Sequence, residues 1–223
     1  MHSVLATQKG IAPAVQQKPG QRTPISEHIF RAVHVAYGTG EWHSLGMDKR
    51  LEGVPHLASL IRDGRAAVVY HDEATSTVAQ KSRASGMAAE SVLRVLCCEN
   101  TFDGDEKFLV AATGAGKIRL TGLLSAVAGH EFVQLRPAEK LPAGMAHGTC
   151  TPFASAEALA GIALIVMEPP HEGLKGREVD IALGGTDEVA RHLAVRMRYG
   201  DLVDAMTAAH PGKVHVSEIP RSN

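Results

Sequence analysis

Cysteine is scarce in this chain, with three in 223 residues and two of them adjacent. Cys97, Cys98 and Cys150 cannot build a disulfide framework, so a reducing compartment such as the cytoplasm is the expected setting. No apolar run approaches the length of a bilayer span, and no membrane partner is expected. The opening stretch "MHSVLATQKGIAPAVQQKPGQRTP" has no basic segment followed by a long apolar one and is poor in arginine, which argues against a secretory signal or a transit peptide. A net charge of −1 excludes a broad electrostatic grip on nucleic-acid phosphates. It leaves room for a local site that holds one nucleotide end, built from small basic clusters such as Lys81/Arg83, Lys117/Arg119 and Arg191, Arg196 and Arg198. Taken singly, each of these clusters reads as a solvated face.

Metal and phosphate-loop signatures are missing too. The twelve histidines include no HExxH, and no cysteine lies in a CxxC, so no metal and no cofactor is expected. "ATGAGKIRLTG" has Ala111 where a phosphate loop needs glycine and Ile118 where it needs Ser or Thr. A turn followed by a helix explains it better.

Hydrophobic residues make up 44% of the chain and charged ones 21%, the composition of a globular protein with one full core. Three segments are expected: an extension over residues 1–64 (a mobile arm, then two helices), an α+β domain over 65–210, and a tail over 211–223. The helices are "SEHIFRAVHVAYG" and "GVPHLASLIRDG", the second with Leu57, Leu60 and Ile61 inward and Gly64 as its stop. The segment between them, with the single tryptophan, reads as a loop. Strands are expected in "RAAVVYH", "SVLRVLCCEN", "EKFLVAATG", "EFVQLR", "GIALIVME", "REVDIALGG" and "RHLAVRM", with a hairpin at Asp103-Gly104. Helices are expected in "TSTVAQKSRASGM", capped by Ser/Thr and ended by Gly86, in "IRLTGLLSAVAG" and in "YGDLVDAMTAAH". The fold class is α+β, a mixed, curved, barrel-like sheet flanked by helices.

In "SVLRVLCCEN" one arginine interrupts an apolar run. Under strand alternation Val92, Arg94, Leu96 and Cys98 share one face, where an unpaired charge would cost several kcal/mol, on the order expected for any buried ion. Arg94 is therefore either a snorkelling edge residue or a cation lining a cleft. "HGTCTPF" offers Cys150 with His147 three residues back. That pattern is read either as a thiol nucleophile or as a small residue beside a Pro-fixed turn. The glycines of "LGG", Leu183 to Gly185, allow close approach of a ligand or another backbone, or make a bulge.

In order along the chain, several pieces resemble the YbaK/prolyl-tRNA-synthetase-associated editing domain family. They are the Thr77-started helix, the strand with a central cation, "KFLVAATGAGKIRLTGLLSAVAG", the GxxxP loop from Gly148 to Pro152, "IALIVME", "VDIALGG" and "RYGDLVDAM". The resemblance spans about residues 65–207 and implies a trans-acting deacylase that hydrolyses the ester of a mischarged tRNA of the proline type, without metal. Its partners would be the aminoacyl-tRNA 3′ end and an aminoacyl-tRNA synthetase. Carried over, Arg94 takes the place of the family's pocket lysine, and Gly148, Thr149 and Cys150 offer backbone groups to the ester. Thr77, Thr151, Pro152, Gly184, Gly185 and His192 would surround the substrate. Arginine for lysine keeps a phosphate contact but changes reach and pocket volume, and Leu183, where many relatives have a small or polar residue, makes the pocket more apolar or tighter. The alternative of a different class is a tRNA- or synthetase-binding module with little or no catalysis, docking through residues 1–64.

Overall fold

The computed structural model describes residues 47–222 except Ala115. The helix expected at "SEHIFRAVHVAYG" and Trp42 lie outside the described residues. The chain begins with helices α1 (Met47–Glu52) and α2 (Pro55–Arg62). Pro55 at the first turn fixes the start of α2, and Leu57, Ala58, Leu60 and Ile61 form its buried side, as their spacing implies. The expected loop before α2 is corrected by α1, whose Leu51 inserts into the core.

Strand β1 (Ala66–Tyr70) follows, then helix α3 (Val78–Ser85). Thr77 caps α3 as expected: its side chain accepts from the Gln80 amide while Gln80 reaches back to the Thr77 amide, and Gly86 ends the helix in the left-handed region at φ 68°. β2 (Leu93–Asn100) and β3 (Lys107–Thr113) form the expected antiparallel hairpin, with Arg94 opposite Ala112. The remaining elements are β4 (Lys117–Ile118), β5 (Leu135–Pro137), α4 (Ala156–Ala160), β6 (Ile162–Met167), α5 (Glu172–Lys175), β7 (Glu178–Ala182), β8 (Leu193–Arg198), α6 (Tyr199–Ala209), β9 (Val214–Val216) and β10 (Arg221–Ser222). Residues 211–222, read from sequence as a tail, thus add two short strands.

The helix expected in "IRLTGLLSAVAG" is absent. A series of i to i+3 turns replaces it, broken by Gly122 and Gly129 in the left-handed region, while Leu123, Leu124 and Val127 still supply apolar cover to the sheet.

The strands divide among open sheets, not one closed barrel. A mixed sheet runs β5-β2-β3-β6-β9, parallel only at β3-β6 and β6-β9. A second, antiparallel sheet runs β1-β8-β7, and β4 pairs with β10. The mixed sheet is covered on both faces. Leu109 and Ala111 of β3 face the main core with Leu57, Ile181, Val195 and Leu202, whereas Phe108, Val110 and Ala112 face a second cluster with Leu124 and Ile219. This double cover is why β2 and β3 read as nearly continuous apolar runs.

Where the two sheets meet, Val92 bridges to Asp180 of β7. Asp180 is fully buried. Arg196 of β8 donates to it from Nε at 2.9 Å, and the Nε2 of buried His71 lies 3.4 Å away. Desolvation works against the charge, yet His71 and Arg196 together hold the carboxyl below its ordinary value of 3.8. Its stabilising contribution is therefore complete above the ordinary value and is lost as pH falls through the lower folded one. Asp180→Ala should cost roughly 1.5–3 kcal/mol in urea denaturation, because it removes a fully buried carboxylate that accepts twice from Arg196 and faces buried His71. Asp180→Asn should in addition flatten the acid limb of the stability profile.

Candidate active site

The start of α3, strand β2 and the 148–150 loop enclose a cleft of about 120 Å³. Thr77, Arg94, Gly148 and Cys150, all singled out from sequence, line it together. Arg94 is half-buried. Its Nη2 donates to the Gly116 carbonyl, while its Nε is buried without a hydrogen-bond partner among the described residues. Desolvation, then the nearby Arg221, lower its pKa from the ordinary value, against a smaller pull from Glu168.

Gly148 is what allows the loop to close on α3. Its φ is +84°, and a Cβ there would lie 2.5 Å from the Ser76 Cα. The Thr149 amide is used within the loop, donating to Ala146 O at 3.0 Å. The amide of Gly148 donates to no acceptor among the described residues and is free to meet a developing oxyanion, whereas that of Cys150 faces its own thiol sulfur. Thr149 Oγ1, itself buried, donates to Gly185 O at 2.7 Å and so ties the loop to the glycine-rich wall.

Thr151, Gly184 and Gly185 line a different, adjacent cleft of about 180 Å³. Sequence reasoning missed what covers it: Arg50 of α1 donates to the Asp187 carboxylate at 2.6 Å and lies against Gly184 O at 3.4 Å. A Cβ on Gly185, at φ +116°, would sit 2.5 Å from Arg50 Nη1, so the glycine admits the guanidinium. No motif in the sequence pointed to Arg50, since its partner is 137 residues away. Pro152 is buried and lines neither cleft. His192 also lies outside both; its ring stacks on Tyr70 at 5.2 Å and its Nδ1 is 2.8 Å from His71 O.

The first cleft contains a cation that the sequence placed on a solvated face. Lys81 is 5% exposed and lines the cleft beside Arg94, whereas Arg83, its neighbour in the basic cluster, is exposed and pairs loosely with Glu73. Cys150 is buried, its Sγ 3.6 Å from Ala146 O, and burial pushes its thiol pKa up. His147 is exposed. A thiol held neutral is a poor nucleophile, which favours Cys150 as a wall of the cleft over the thiol-hydrolase reading. Among the described residues no group of three or more His, Cys, Asp or Glu could hold a metal ion, and no helix is long and apolar enough to cross a membrane.

No protein-family model and no curated protein matches the chain. Solved structures resemble it in fold, among them the following three. The hypothetical protein APE2540 has 18% identity and a TM-score of 0.51, covering 74% of this chain and 98% of its own. A proposed trans-editing enzyme for prolyl tRNA synthetase has 15% identity and a TM-score of 0.50, covering 91% and 100%. A scaffold from epitope backbone grafting by computational design has 12% identity and a TM-score of 0.51, again covering 91% and 100%. At these identities the likeness is one of fold.

Two glycines provide a test of the loop geometry. Gly148→Ala should lower stability by about 1–3 kcal/mol, through both strain and the clash with Ser76. Gly144→Ala, also at positive φ but with open space around it, should cost about 1 kcal/mol. Thermal denaturation of both variants should show the larger loss at Gly148.

Proposed function

We propose that the protein is a trans-acting aminoacyl-tRNA deacylase, an ester hydrolase acting on mischarged tRNA of the proline type. One observation carries this reading: Thr77, Arg94, Gly148 and Cys150 converge on a single cleft, in a chain whose fold is like that of a proposed trans-editing enzyme. In this reading Arg94 holds the phosphate of the terminal nucleotide and so fixes the ester beside the 148–150 loop. Water attacks the ester carbonyl, and the free Gly148 amide stabilises the oxyanion of the tetrahedral intermediate. Collapse of that intermediate returns the ribose hydroxyl and releases the amino acid. Thr151, Gly184 and Gly185 form the adjoining wall, with Thr149 holding the two parts in register. The editing domain would correspond to residues 65–210, with its sheets curving around the clefts, and it would work in the cytoplasm beside a synthetase.

A second reading is supported by Arg50. Its contact with Gly184 and Asp187 lays α1 across the glycine-rich wall, which suits a chain that binds tRNA or a synthetase and catalyses little.

Purified protein incubated with a panel of mischarged tRNAs should release amino acid from at least one. Arg94→Ala should reduce that release by about 100-fold or more, the scale of losing one transition-state contact, and Arg94→Lys should restore part of it. Absence of release across the panel, with tRNA still retained in a filter-binding assay, would replace the deacylase reading with the binding module.

A further inference from the structure

Lys81 enters the cleft from the first turns of α3, opposite Arg94 on β2. It is 5% exposed, and among the described residues its ammonium makes no hydrogen bond and no ion pair. The ammonium at the end of this buried stem is not itself sealed from solvent, so its three donors open on the cleft, where a methionine would fill the same space and offer none. No aspartate or glutamate lines the cleft. The acid that acts on Lys81 is Asp180 on β7, and its oxygens are already taken by Arg196 and His71. The other ionisable groups around the cleft are Arg94 and the Cys150 thiol, which burial keeps neutral.

Two cations with unfilled donors, one of them buried, around a cleft that has no acidic lining make a receptor for an anion. We propose that Lys81 and Arg94 together bind a phosphate group, Lys81 supplying the ammonium that a phosphate oxygen completes. The inference deepens the reading of this cleft and rests on it for the choice of a nucleotide phosphate over other anions.

Burial lowers the Lys81 pKa to about 8, against the opposing pull of Asp180. Only the ammonium form binds an anion. Affinity should therefore fall as pH rises through the pKa of the empty cleft, by about tenfold between pH 7 and 9, a range above the second phosphate pKa of about 6.

Titration calorimetry with adenosine 5′-monophosphate and with adenosine, at pH 7 and pH 9, tests this. The nucleotide should bind to the wild-type protein with that pH dependence and the nucleoside should not. Lys81→Met should weaken nucleotide binding at pH 7 by about tenfold or more and abolish the slope, and Lys81→Arg should retain binding without the slope. A thermal melt of each variant reports whether it is folded, and Lys81→Arg keeps the test informative should Lys81→Met be altered. Unchanged affinity and slope in Lys81→Met, or equal binding of nucleotide and nucleoside, would overturn the proposal. Lys81-dependent binding without release of amino acid from any mischarged tRNA would support the receptor while removing the deacylase.

Discussion

The buried carboxylate of Asp180 is the joint on which the rest of the structure depends. It lies on β7 with no solvent contact, takes Arg196 from β8 and His71 from the segment after β1, and shares a bridge with Val92 at the start of β2. An unpaired charge in that position would be untenable, so β1, β7 and β8 are held in one arrangement, and the mixed sheet is held beside them. The field of the same carboxylate reaches Lys81, which permits α3 to turn a lysine inward. The cleft is a consequence of this joint.

The 148–152 loop then divides the space beside the joint. Gly148 lets its first residue press against Ser76, and Thr149 ties its middle to Gly185. The result is two adjoining clefts with different linings. One is cationic, with Arg94 and Lys81, and the other is walled by glycines and crossed by Arg50. A substrate with an anionic end and a smaller group joined to it would match that division.

Much of the fold was legible because local rules and packing agree. Thr77 with Gln80 announces the start of α3 and Gly86 its end, and the double apolar faces of β2 and β3 announce central strands. "IRLTGLLSAVAG" misled because its apolar spacing serves sheet cover through turns, and Gly122 breaks the helix that the spacing suggests. α1 escaped notice because a six-residue helix has too few turns to display a period.

The sequence by itself determined the strands of the two larger sheets up to β8, the capped helix α3, the lack of a disulfide framework, and a set of residues to watch that includes Thr77, Arg94, Gly148 and Cys150. Each of those signals is local, a cap, an interrupted run or a glycine before a turn, and so can be read along the chain. Only the tertiary structure decided that these four share a cleft, that Thr151, Gly184 and Gly185 line another, and that His192 lines neither. It also decided that Lys81 is the buried member of its basic pair and Arg83 the exposed one. Burial of a charge depends on what folds over it. For Lys81 those elements are β2, the 148–150 loop and Asp180, and the last two are remote from it in the chain.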